Sequence, residues 1–137
     1  MDERLVRISD EVELCIDDQG PPDGPLVLLV MGLGLQLVWW RDDFCRALVE
    51  RGFRVVRYDH RDIGRSTPFA GPVPGALAFL TRRAKTTYEL EDMADDAGLL
   101  IEALAPAGEG AHVVGVSLGS FVAQATAIRH PGRVRSL

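Results

Sequence analysis

Ala111-His112-Val113-Val114-Gly115-Val116-Ser117-Leu118-Gly119-Ser120 decides how this chain reads, because a short β-branched run passes through Gly-x-Ser-x-Gly directly into a helix-compatible stretch. A serine hydroxyl is a weak nucleophile and has to be presented to a base and a substrate together. A sharp strand-to-helix turn does this by pushing Ser117 out of the backbone, and Gly115 and Gly119 leave room for the strained geometry. The turn also aims the Leu118 N–H and the positive end of the following helix at the place where an oxyanion forms. Val113-Val114 precedes the turn, while Phe121-Val122-Ala123 and Ala125-Thr126-Ala127-Ile128 follow it, up to a stop at His130-Pro131-Gly132. That pattern predicts a buried strand and then a helix.

Outward from this stretch, strands alternate with helices. Leu26 to Met31 is continuously apolar, as a strand buried on both faces requires. Trp39 to Arg51 reads as an amphipathic helix with Phe44, Ala47 and Leu48 on one side and Gly52 just past its end. Phe53 to Tyr58 is a further strand, and Thr87 to Leu104 a long helix with Thr87 as N-cap. A short helix is expected at Ala76 to Thr81, over a Gly- and Pro-rich loop from Asp62 to Gly75. At the N-terminus, Leu5 to Ile8 and Val12 to Ile16 alternate apolar and polar, which predicts an antiparallel hairpin. The turn formers from Asp17 to Pro25 then reverse the chain. The fold expected is α/β, a mostly parallel sheet with helices on both faces and an N-terminal antiparallel hairpin, as one partial domain over residues 1–137.

Bulk properties narrow the function. A net charge of −5, with 15 Lys+Arg against 20 Asp+Glu, leaves no basic stripe for a nucleic-acid partner. Arg82, Arg83 and Lys85 form the one basic cluster and read as a solvated surface. The charged start Met1-Asp2-Glu3-Arg4 lacks the apolar core of a signal peptide, and Leu26 to Trp40 is too short and interrupted to span a bilayer, so a cytoplasmic location without membrane contact is expected. Cys15 and Cys45 lack metal-ligand spacing and read as reduced core residues, so neither a metal nor an organic cofactor is implied. Nothing in the pattern specifies an oligomer.

Two further loops carry candidate chemistry. Met31-Gly32-Leu33-Gly34 follows a buried strand at the edge where open α/β sheets bind ligands, and its Leu33 N–H is the candidate second oxyanion donor. Gly32-x-Gly34 with Asp59 at the end of the next strand also imitates part of a dinucleotide fingerprint. Leu37 stands where the third glycine belongs, which weighs against that reading. The second loop is Tyr58-Asp59-His60-Arg61-Asp62-Ile63-Gly64-Arg65-Ser66-Thr67. It resembles the Asp-x-Arg loop of the α/β-hydrolase superfamily and is especially similar to a bacterial esterase group that includes the aclacinomycin methylesterases. Met31 to Gly34 resembles that group's oxyanion loop, Gly115 to Gly119 its nucleophile elbow, and Ala127-Ile128-Arg129-His130-Pro131 with Arg133-Val134 its continuation. The matches run in family order from about residue 11 onward. Many relatives carry histidine where Met31 stands.

The resemblance implies a carboxylic-ester hydrolase acting through an acyl-enzyme at Ser117 on a small-molecule ester. It also implies that Asp59, Arg61 and Gly64, like Gly32 and Gly34, shape turns and do no chemistry. Ser117 still needs a histidine backed by an acid. His112 lies about 16 Å upstream on the same strand, and His130 about 18 Å away at the far end of the following helix. His60 is on the correct sheet edge but reads as a solvated loop side chain. In the family the order is Ser, acid, His on successive loops, so the expectation is an N-terminal half whose acid and base lie beyond Leu137 and which is inactive alone. The strand of Ser117 is then expected to present an unpaired edge. The alternative is a non-catalytic binding protein that keeps the scaffold.

Overall fold

The computed structural model describes residues 3–69, 87–105 and 108–137. Its sheet has six strands in the order β1-β2-β4-β3-β5-β6: β1 (Glu3–Arg7), β2 (Glu13–Gln19), β3 (Leu26–Val30), β4 (Arg54–Tyr58), β5 (Ala111–Gly115) and β6 (Val134–Ser136). The β1–β2 and β2–β4 pairings are antiparallel, and β4, β3, β5 and β6 run parallel to one another. Helices α1 (Asp42–Val49), α2 (Leu90–Leu104) and α3 (Leu118–Arg129) connect them. The α/β architecture with an N-terminal hairpin is therefore the one expected.

Side-chain alternation along the central strands divides the core into two layers. Leu28 and Val30 of β3 with Val56 and Tyr58 of β4 face α2 and α3, against Met93, Ala97, Leu100, Ile101, Val122 and Ala123. Val27, Leu29 and Val55 face the other way, against Cys45 of α1 with Leu48, Val49 and Trp40 around it. Because β3 has β4 on one side and β5 on the other, the chain order reverses at β3, and the C-terminal ends of β3 and β5 are the place where open α/β sheets bind ligands.

Several boundaries differ from expectation, each for a non-local reason. β2 continues through Asp17-Asp18-Gln19, which as isolated residues read as a turn. Asp17 and Asp18 pair with Arg57 and Val56 of β4, and their carboxylates meet Arg57 and Arg54 at 2.8 and 2.6 Å. α1 starts at Asp42, after a 3-10 turn at Leu37–Trp39, and its buried residue is Cys45. Phe44, expected inside, is 41% exposed and stacks on Trp40 at 5.7 Å. α2 is capped by Glu89, whose carboxylate and that of Asp92 form a reciprocal capping box, and not by Thr87. β5 does not end in a wholly bare edge, since β6 pairs with Ala111 and His112. Both cysteines are free and buried, as expected. The short helix at Ala76 to Thr81 and the cluster Arg82, Arg83 and Lys85 lie outside the described residues. No helix among the described residues is long and apolar enough to cross a membrane.

Candidate functional site

Ser117 sits between β5 and α3 with φ 55° and ψ −123°, one of two non-glycine residues with positive φ among those described. Such a conformation costs on the order of 1–3 kcal/mol and persists only where surrounding packing imposes it. The packing is visible in the two motif glycines. A Cβ on Gly115 would lie 2.3 Å from the Gly119 carbonyl oxygen, and one on Gly119 would lie 2.1 Å from the Val30 carbonyl oxygen. Any side chain at either position would push α3 off the sheet. The Val116 N–H donates to Val30 O at 3.1 Å, which ties the elbow to the end of β3. Ser117 is exposed, and its hydroxyl makes no cap hydrogen bond to the helix it precedes. Ser117 is thus strained, exposed and uncommitted at a helix N-terminus.

The loop after β3 lies directly against this serine. A Cβ on Gly32 would stand 3.3 Å from Ser117 Cβ and 3.8 Å from its Oγ, so glycine there lets the two backbones approach. Leu33 is 78% exposed, and Gly34 takes φ +69° at the loop tip. The helix that a dinucleotide fingerprint requires does not start at these glycines, because a 3-10 turn follows and α1 begins only at Asp42. Leu118 opens α3, with the Gly119 and Ser120 N–H groups bonded back to Val116 and Ser117 carbonyls at 2.9 Å each.

The Asp59–Ser66 loop contacts the segment after β3 at two points, Met31 and Leu37. Asp59 accepts the Leu37 N–H at 2.6 Å, and Ser66 donates to the Asp59 carbonyl at 2.7 Å while accepting the Cys15 N–H at 2.9 Å. Gly64, at φ +55°, leaves space for the Asp59 carboxylate, which a Cβ would meet at 2.0 Å. Burial raises the Asp59 carboxyl above the ordinary range, against the lowering effect of the N–H groups of Leu37 and Arg65. Arg61 is fixed from three sides: a two-armed ion pair with Asp96 of α2 at 2.7 and 2.6 Å, with the rings of Phe69 and Tyr88 at 4.7 and 5.3 Å. Burial likewise pushes Asp96 up, and the Arg61 guanidinium only partly offsets it. Sequence reading overlooked Asp96, although a carboxylate on the apolar stripe between Met93 and Ala97 is a signal for a buried cation.

Each of the three histidines has a partner of its own. His112 Nδ1 meets Ser136 Oγ at 2.7 Å, and His130 Nε2 meets Asp95 at 2.7 Å on the α2–α3 interface. His60, expected in solvent, is 3% exposed, and its Nε2 is 2.9 Å from the Met31 carbonyl oxygen. The cause is non-local: the Met31 carbonyl receives the ring N–H, and the Tyr58 ring lies edge-on 5.1 Å away. Burial holds the His60 ring below the usual histidine range, against the raising influence of Met31 O and Asp96. No cluster of three or more His, Cys, Asp or Glu among the described residues is placed to hold a metal ion.

With this geometry in view, the comparisons with known proteins are specific. The family model of the alpha/beta hydrolase fold matches residues 25–137. Rhodomycin D methylesterase DauP of Streptomyces sp. (strain C5) is 34% identical over 129 residues, which is 94% of this chain and 39% of that protein. A hydrolase from Pseudomonas aeruginosa superposes with a TM-score of 0.76 at 32% identity, over 98% of this chain and 44% of the other. A laboratory-evolved potato epoxide hydrolase shares the fold with a TM-score of 0.78 at 23% identity, over 98% of this chain and 37% of the other. The chain thus spans less than half the length of these relatives.

Proposed function

The chain belongs to the alpha/beta hydrolase fold family, and from that premise we propose that it is the N-terminal part of a serine hydrolase that cleaves carboxylic esters through an acyl-enzyme at Ser117. The observation that carries this reading is the strained, exposed Ser117 with Gly32 packed against it at the switch point of the sheet. Ser117 Oγ attacks the acyl carbonyl and forms a C–O bond, and its proton passes to a histidine. The oxyanion takes hydrogen bonds from the Leu33 and Leu118 N–H groups. Collapse of that intermediate breaks the ester C–O bond and releases the alcohol with the proton from histidine. Water then attacks the acyl-enzyme, returning Ser117 and releasing the carboxylic acid. No metal or organic cofactor enters this sequence, and its site of action is cytoplasmic.

His60, His112 and His130 are all engaged elsewhere. The base and its acid in this reading therefore come from a segment beyond Leu137 in the full-length protein, which also supplies most of the substrate pocket. The 34% identity to a methylesterase supports the choice of ester over other acyl substrates. A fluorophosphonate probe tests the reading: the full-length protein is expected to label at Ser117 and the Ser117→Ala variant to lose the label, and labelling unchanged by that substitution sinks it. The same three histidine engagements favour a second reading for the 137 residues alone, a folded and hydrolytically inert binding module. That reading predicts a function indifferent to Ser117→Ala.

A further inference from the structure

We propose that the dipeptide Asp59-His60 clamps both ends of the loop from Met31 to Leu37, and that His60 is thereby a positioning residue for the oxyanion donor at Leu33. The consequence for rate rests on the serine hydrolase reading; the clamp itself does not.

The loop needs such a device. It carries two glycines, its tip at Gly34 has nothing within 4 Å of a built Cβ, and Leu33 is largely in solvent. A segment of this kind samples many backbone conformations unless something holds it. Within the loop, the Leu35 N–H bonds Gly32 O at 3.3 Å. The strong contacts are at its ends, and both come from consecutive residues after β4. The His60 ring meets Met31 O where the loop begins, at 2.9 Å. The Asp59 carboxylate takes the Leu37 N–H where it finishes, at 2.6 Å.

The chemistry assigns the proton. A carbonyl oxygen only accepts, so His60 Nε2 carries the hydrogen and donates it. The nitrogen is therefore committed to the loop and is not a base for Ser117. The ring is held by burial and by its edge-on contact with Tyr58, so the donor is rigid. Met31 O also lies on the first turn of α3, 2.7 Å from where a Cβ on Gly119 would be. One carbonyl thus links the oxyanion loop, the elbow helix and the Asp59–Ser66 loop. Rotation of that peptide would carry Gly32 and the Leu33 N–H away from Ser117, and displacements of about 1 Å in such donors cost on the order of 100-fold in rate.

The test compares His60→Gln, which keeps an N–H donor near the Nε2 position, with His60→Phe, which keeps an aromatic ring without one. In the full-length protein with a chromogenic ester, His60→Phe is expected to lower kcat roughly 10- to 100-fold with KM changed by less than about threefold. His60→Gln is expected to restore kcat to within about threefold of the parent. Equal kcat in the two folded variants overturns the proposal, since ring volume alone would then explain the histidine. Nitrogen-15 NMR of the parent keeps the clamp testable if His60→Phe does not fold or if no esterase activity is found. The His60 ring is expected as the neutral Nε2–H tautomer, persisting below the pH where an ordinary histidine protonates, and an Nδ1–H tautomer overturns the clamp. Activity or labelling that survives Ser117→Ala would strike the serine reading alone and leave the tautomer result standing.

Discussion

The two sides of β3 are held in place by opposite means. Toward β5 and α3, where Ser117 sits, position is set by backbones brought close together, with Gly32, Gly115 and Gly119 at the contacts. Toward β4 and β2, position is set by charge. Arg57 is 1% exposed and reaches Asp17 at 2.8 Å, Asp42 at 2.6 Å and the Trp40 carbonyl. Arg54 takes Asp18 with both arms, and Arg4 reaches the same carboxylate from β1. Burial raises the Asp18 carboxyl, but the two arginines outweigh it and leave it below the ordinary range. The difference fits the proposed role of Ser117, since a reacting group needs backbone precision and free surface, which side-chain ion pairs would crowd. Strands β2 and β4, which hold none of the groups of the proposed reaction, can carry long charged side chains between them.

The contrast can be broken most severely at Gly119. Gly119→Ala drives a methyl into the Val30 carbonyl and is expected to cost about 4 kcal/mol or more in a urea unfolding experiment. Gly34→Ala is the control, with the same added methyl in open space at φ +69°, and is expected to cost about 1 kcal/mol. Equal losses at the two positions would mean that close approach does not govern this side of β3.

On the other side, Arg57→Met removes the guanidinium from the buried Asp17 carboxylate and is expected to cost about 3 kcal/mol at neutral pH. A substitution within about 0.5 kcal/mol of the parent by thermal or urea melting would show that the charged pairing of β2 with β4 is dispensable. The smallest effect is at the elbow itself. Ser117→Gly relieves the positive φ and is expected to raise stability by about 0.5–1 kcal/mol while removing the oxygen proposed as nucleophile. A destabilised variant would show that the elbow stores no strain.

Legibility followed the same division. Glycine spacing around Ser117, the apolar runs of β3 and β4, and the long helical period of α2 are local patterns, and they predicted the site-bearing half of the sheet closely. Asp17-Asp18-Gln19 reads locally as a turn and is strand because of Arg54 and Arg57, which lie far along the chain. His60 reads locally as a loop side chain and is buried where a carbonyl 29 residues earlier accepts a hydrogen bond from its ring N–H. Phe44 fits the apolar side of a helical wheel, yet Cys45 is the residue that packs on the sheet.

By itself the sequence determined the strand–turn–helix at Ser117, the alternation that makes a mostly parallel sheet, and the order of the three loops, because each depends on neighbours a few residues apart. Only the tertiary structure decided which charges pair inside, how far β2 runs and what His60 does. Burial makes an unpartnered charge or ring nitrogen costly, and the partner that removes the cost is chosen by folding across the chain.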